Sequence, residues 1–172
     1  VANACRNNQQ AYWVCTLVEE SEALQRQAAE DVYQELGQLL QDVNVGLVHG
    51  RMKGREKDAV MQKFIKREID LLVATTVIEV GLDVPSASLM IIENAERLGL
   101  AQLHQLRGRV GRGREESSCV LLFNPPLTDN AKLRIDTMRN TCDGFKIAQV
   151  DLKIRGPGEV LGTRQTGMLQ LR

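Results

Sequence analysis

Gln105-Leu106-Arg107-Gly108-Arg109-Val110-Gly111-Arg112 places three arginines within six residues, with glycines between them. A guanidinium is planar, permanently charged and carries five donors, which suits it to the oxygens of a phosphate chain. Three of them converging on one point would repel each other unless an anion lay among them. The spacing therefore points to a polyphosphate; a solvated basic helix end is the alternative. Gly108 and Gly111 fit a backbone that must come close to whatever the arginines hold. No GxxxxGK[ST] phosphate loop occurs in the 172 residues, and no Asp-Glu pair follows a strand to hold magnesium. The arginines are thus expected to act as fingers reaching a nucleotide that another domain cradles.

The elements that must position them alternate. Tyr12–Cys15, Val45–Val48, Leu71–Ala74, Leu89–Ile92 and Cys119–Phe123 are short apolar runs that read as buried strands. Amphipathic stretches at Ser21–Leu40, Arg55–Lys66 and Ala101–Arg109 read as helices, with Ser21 as a cap. This order predicts an α/β fold, a parallel sheet with right-handed crossovers and helices on both faces. Ligands of such sheets bind beyond the carboxyl ends of the strands. His49-Gly50, Thr75-Thr76 and Glu93-Asn94 all fall at such ends. After Pro125-Pro126 the pattern changes to two short helices, 128–140 and 144–151, joined through Asp143-Gly144 as a helical hairpin. An irregular Gly- and Pro-rich extension follows. The predicted division is a lobe over 1–125 and a hairpin with its loop over 126–172.

Composition narrows the function classes. The chain carries 43% hydrophobic and 26% charged residues and a net charge of zero, so it is no polycation. Residues 130–172 hold eight Lys/Arg against four Asp/Glu, which points to an anionic partner at that end. Cys5, Cys15, Cys119 and Cys142 have neither CxxC nor zinc spacing, so neither a metal site nor a disulfide is expected. Cys15 and Cys119 read as small core residues. There is no signal peptide and no apolar run approaching the roughly 20 residues of a membrane span, so no membrane is expected and a cytoplasmic location is. Val1 in place of Met, and an opening that reads as the middle of a helix, make a piece of a longer protein the expectation. Trp13 reads as core, and nothing resembles an interleaved aromatic pattern for base stacking.

Gln105 through Arg112 resembles motif VI of superfamily-two helicases, Gln-x-x-Gly-Arg-x-Gly-Arg. Ala74-Thr75-Thr76-Val77-Ile78-Glu79-Val80-Gly81-Leu82-Asp83-Val84-Pro85 is similar to their motif V, and Val48-His49-Gly50-Arg51-Met52 to the short motif upstream. In this order they resemble the second RecA-like lobe of such a motor. Ala95 through Gln105, and the tail segments Asp143–Leu152, Ile154–Glu159 and Gly162–Gly167, narrow the resemblance to the RecG family of branch-migrating translocases. Gly156-Pro157-Gly158-Glu159 has the RecG form, where the related Mfd family tends to Gly-Ala-Gly-Asn. The resemblance covers essentially the whole chain.

The resemblance implies ATP and Mg2+ as cofactors, bound mainly by a first motor lobe that these residues do not include. The implied partners are that lobe, a DNA-binding wedge domain of the same protein, and branched double-stranded DNA. Arg112, with Arg109, is expected to reach the γ-phosphate, Arg112 as the finger. Gln105 would position motif VI or a phosphate-side water, and Arg107 is left to lobe–lobe contacts. Gly81 and Asp83 would face the nucleotide, an amide toward phosphate and a carboxylate toward a ribose hydroxyl. His49, Gly50, Thr75 and Thr76 would approach the DNA backbone. Arg134, Arg155 and Gln165 would form a lever that couples lobe closure to DNA movement. His104 is assigned to packing, and Glu79 receives no role. The lobe alone is expected to bind ATP weakly and not to turn it over. The alternatives are a transcription-repair translocase of the Mfd kind and a non-catalytic scaffold whose arginines only bind anions.

Overall fold

The computed structural model describes residues 1–16, 22–75, 84–111 and 117–156. Five strands form one parallel sheet in the order β2-β3-β1-β4-β5: β1 Gln10–Cys15, β2 Val45–Val48, β3 Leu71–Thr75, β4 Ala87–Ile92 and β5 Ser118–Leu121. The helices are α1 Ala2–Arg6, α2 Glu22–Leu39, α3 Gly54–Ile65, α4 Leu100–Arg107, α5 Asp129–Asn140 and α6 Gly144–Arg155; a 3-10 turn at Ala95–Arg97 precedes α4. The α/β architecture expected from the alternation of runs is present.

Both faces of the sheet are covered, which is why its inner strands are near-continuous apolar runs rather than alternating ones. All five residues of β3 are buried. On one face Tyr12, Val14, Leu72, Met90 and Ile92 pack against Phe64 of α3, Leu100 and Leu103 of α4, Met138 of α5 and Ile147 of α6. On the other, Ala11, Leu71, Val73 and Ile91 pack with Ala29 and Leu36 of α2, and Cys5 of α1 lies beside them. The hairpin helices therefore share a core with the sheet. Cys15 is buried and Cys119 is packed at the rim of the core, as the sequence implied.

Two elements differ from expectation. The run Cys119–Phe123 is not a buried strand. Among the described residues it supplies an edge strand, β5, where Cys119 and Leu121 pack inward while Val120, Leu122 and Phe123 are 41%, 41% and 46% exposed. No listing of apolar residues distinguishes an edge strand from a central one; only the neighbours do. Helix α6 runs four residues beyond the expected Asp151, to Arg155. Gly156, at φ 73° and ψ 166°, takes a positive-φ conformation that suits glycine and ends it. Asp143 starts that helix, its carboxylate accepting from the Phe145 and Lys146 amides. The expected cap Ser21 lies outside the described residues.

Strand register fixes where the motifs stand. Cys15 of β1 lies beside Thr75, and Gln10 of β1 beside Ala87. The chain leaving β3 therefore has to regain the opposite edge of the sheet before β4, about 17 Å away at roughly 3.3 Å per residue.

Candidate functional site

The arginine-bearing segment lies at the amino edge. Parallel pairing of β4 with β5 sets Leu89 beside Ser118, so the chain must return between them, and α4 is the helix that does so. Past its end, Val110 is buried in the core and anchors the turn. Gly111 follows at φ 83°, and a Cβ there would run into the Ser117 side chain. Glycine is needed at this position for conformation and space alike. Gly108 differs. It stands in right-handed helical geometry, and an added Cβ would meet only backbone oxygens at 3.4 and 3.5 Å, ordinary contacts. We expect Gly111→Ala to cost about 1–3 kcal/mol, while Gly108→Ala leaves urea-induced unfolding nearly unchanged; equal midpoints for the two would refute the distinction.

Gln105 is exposed on α4 and Arg109 half-buried just beyond it. Arg107 does something sequence reasoning missed. Its Nη1 donates to the carbonyls of Met138 at 3.0 Å and Thr141 at 2.7 Å, at the end of α5. Those are orphan carbonyls at a helix C-terminus, where a cation is also favoured by the helix dipole. Its Nη2 lies 3.1 Å from His104 Nδ1, a polar contact within α4. The only signal in the sequence was the distance of 31 residues between a motif arginine and a helix end, which no local pattern reports.

The hairpin is fastened at a second point. Arg134 on α5 donates to the Glu96 carbonyl at 2.8 Å, in the 3-10 turn beyond β4. Its Nε and the Glu96 Oε2 are buried without hydrogen-bond partners among the described residues. Arg155, at the end of α6, pairs with Asp151 at 2.8 Å. An apolar groove of about 520 Å³ runs between α4 and α6, and Gln105, Ile147, Leu152 and Arg155 line it.

The other candidates gather at the carboxyl edge, on the far side of the sheet from Gly111. His49 follows β2 and Thr75 ends β3. His49 Nδ1 and the 4% exposed Thr75 hydroxyl are buried polar atoms without hydrogen-bond partners among the described residues. Such atoms call for an explanation, and an absent ligand is one. Burial holds the His49 imidazole below its ordinary value of 6.5, with Glu30 opposing and Arg26 and Lys57 reinforcing the shift. A neutral ring is therefore favoured at pH 7. The Gly50 carbonyl accepts from Lys57 at 2.8 Å, which ties this loop to α3. Farther along the edge, Thr16 and Asn94 bond across between β1 and β4, and Glu93 accepts from Trp13 Nε1 at 2.8 Å. Burial and the Glu93 carboxylate raise the Cys15 thiol well above its ordinary value; burial pushes Cys119 up to about 11.

Arg112, Thr76, Gly81, Asp83 and Gln165 lie outside the described residues. Among the described residues no group of three or more His, Cys, Asp or Glu could hold a metal ion, and no helix is long and apolar enough to cross a membrane. Arg109 at the amino edge and the Thr75 hydroxyl at the carboxyl edge are donors suited to phosphate oxygens rather than ligands for Mg2+.

Comparison with known proteins gives a consistent result. The helicase conserved C-terminal domain matches residues 4–114, and the domain 3 C-terminal part of the ATP-dependent DNA helicase RecG matches residues 141–171. The chain is 63% identical to the ATP-dependent DNA helicase RecG of Haemophilus influenzae and 64% identical to that of Escherichia coli strain K12. Both alignments cover 100% of this chain and 25% of the relative, so the chain spans about a quarter of these relatives' length. A structure of RecG bound to a three-way DNA junction superposes with a TM-score of 0.75 at 45% identity, over 92% of this chain and 20% of that one. The C-terminal domain of the DEAD-box protein Dbp5, at 18% identity and a TM-score of 0.56, over 77% of this chain and 68% of that one, shares the fold.

Proposed function

Because the chain belongs to the family of the helicase conserved C-terminal domain, we propose that it is the second motor lobe of an ATP-dependent double-stranded-DNA translocase of the RecG kind. The whole enzyme would remodel branched DNA, reversing stalled forks and migrating junctions, in the cytoplasm. The observation that carries this reading is the Arg107 clamp: one arginine of the phosphate-binding motif is bonded to the hairpin at Met138 and Thr141. A lobe that only binds anions has no need to tie its arginine turn to a pair of helices. A motor does, because movement of that turn has to be passed on.

On this reading the amino edge meets the nucleotide. Arg112 and Arg109 place guanidinium donors where charge builds on the transferring phosphoryl group. Gln105 holds that turn or a water beside it, and Gly81 and Asp83 approach phosphate and ribose. ATP with Mg2+, held mainly by the first lobe, supplies the hydrolysable phosphoryl group. The carboxyl edge meets the DNA, with His49, Gly50, Thr75 and Thr76 toward the backbone. The unpartnered His49 and Thr75 atoms support that side. Contacts of this type are independent of sequence and weaken steeply with salt. Residues 126–172, through Arg134, Arg155 and Gln165, carry the motion of lobe 1–125 to the duplex. Sharing a core through Met138 and Ile147 suits the hairpin to that task.

The test is ATP turnover by this lobe mixed with the remaining N-terminal portion of the protein, with and without forked DNA. Turnover stimulated by the fork, and none from the lobe alone, is the expected result. Turnover by the purified lobe alone would overturn the split-site reading.

A further inference from the structure

Gln10 is 2% exposed, at the start of β1, and the side chain of a buried glutamine must find partners for two donors and an acceptor. It finds all of them. Its Nε2 donates to the Phe64 carbonyl in the last turn of α3 and to the Ile69 carbonyl in the segment before β3, both at 2.6 Å. Its Oε1 accepts from the Ser86 hydroxyl, and its backbone amide donates to the Ser86 carbonyl at 3.0 Å. Ser86 lies three residues after Asp83, on the chain that leaves motif V for β4. One amide thus joins three segments that are far apart in sequence. Helix α3 begins at Gly54, beside the loop to which Lys57 ties it through Gly50, and ends where Gln10 holds it. The helix spans the sheet between the two edges.

We infer that Gln10 is a positioning residue that fixes the exit of motif V at Ser86 against the amino-edge end of α3, and through that exit serves nucleotide binding. This rests on the reading above that motif V faces the nucleotide. Buried as it is, Gln10 is placed to act through Ser86 rather than on nucleotide or DNA directly. Loss of the Ser86 hydroxyl would free the motif V exit on one side and leave the α3 bonds in place. Loss of the side-chain amide would loosen both, leaving only the backbone bond from Gln10 to the Ser86 carbonyl.

The experiment uses the full-length protein and measures KM for ATP and kcat in fork-stimulated hydrolysis for Ser86→Ala, Gln10→Leu and the double variant, with Asp83→Ala as reference. Ser86→Ala and Gln10→Leu are expected to raise KM about three- to tenfold, the equivalent of one buried hydrogen bond. The double variant should be no worse than Gln10→Leu alone. A merely structural role would lower kcat with the amount of folded enzyme and leave KM where it was. Should Gln10→Leu not fold, Ser86→Ala decides alone. The proposal is overturned if Asp83→Ala raises KM while Ser86→Ala does not. If Asp83→Ala also leaves KM unchanged, the nucleotide reading of motif V fails, and the proposal with it.

Discussion

Replacing Arg112 with Ala in the full-length protein is expected to lower fork-stimulated ATP turnover by about 10³–10⁵-fold, the range for loss of an arginine finger. The physical reason is differential. On the proposed reading the ground-state phosphate charge would be shared with the first lobe and Mg2+. In the transition state charge moves onto the equatorial oxygens, and a fixed guanidinium stabilises that state more than the ground state. The effect should therefore fall on kcat, with affinity for forked DNA little changed. Arg112→Lys should recover little, since an ammonium cannot present the planar pair of donors. The measurement is steady-state hydrolysis beside a DNA-binding titration at one salt concentration. Turnover within a few-fold of wild type would leave the arginines as an anion site and return the lobe to the role of scaffold.

Arg107→Ala should behave differently, although the two residues are neighbours in one motif. Its guanidinium ends α5 by bonding the Met138 and Thr141 carbonyls. Removing it leaves those acceptors to water and loosens the joint between α4 and the hairpin. Hydrogen bonds to a charged group contribute about 1.5–3 kcal/mol each, less here because the site is only partly buried. We expect hydrolysis to persist and junction unwinding to fall, so that ATP consumed per junction resolved rises about tenfold, equivalent to roughly 1.4 kcal/mol of lost coupling. Arg107→Lys should lie between, keeping the charge and one bond. Parallel loss of hydrolysis and unwinding would mean that Arg107 serves the nucleotide directly.

The contrast shows what was legible beforehand. The inner strands β1, β3 and β4 were visible because each is buried on both faces and therefore largely apolar, as the LLVAT run of β3 is. Motif VI was visible because arginine and glycine at fixed spacing have few other uses. The role of Arg107 was not, since it depends on α5 ending beside α4, a tertiary fact. Nor was Gln10: a glutamine opening a strand reads as polar surface until the carbonyls of Phe64 and Ile69 are seen to converge on it. The exposure of β5 was missed for the same reason, because an apolar run carries no mark of which neighbour is lacking. The hairpin joint, marked by a local turn signal, fared better: Asp143-Gly144 lies between α5 and α6 as expected.

The open edge at β5 has a practical bearing. Among the described residues its outer backbone groups face no neighbouring strand, and Val120, Leu122 and Phe123 stand beside them partly exposed. Such an edge is a template on which strands of other molecules can add. Preparations of the lobe by itself should accordingly lose material to self-association as they are concentrated. Charged substitutions such as Val120→Lys, outside every motif discussed, offer a way to keep it monodisperse for spectroscopy and crystallisation.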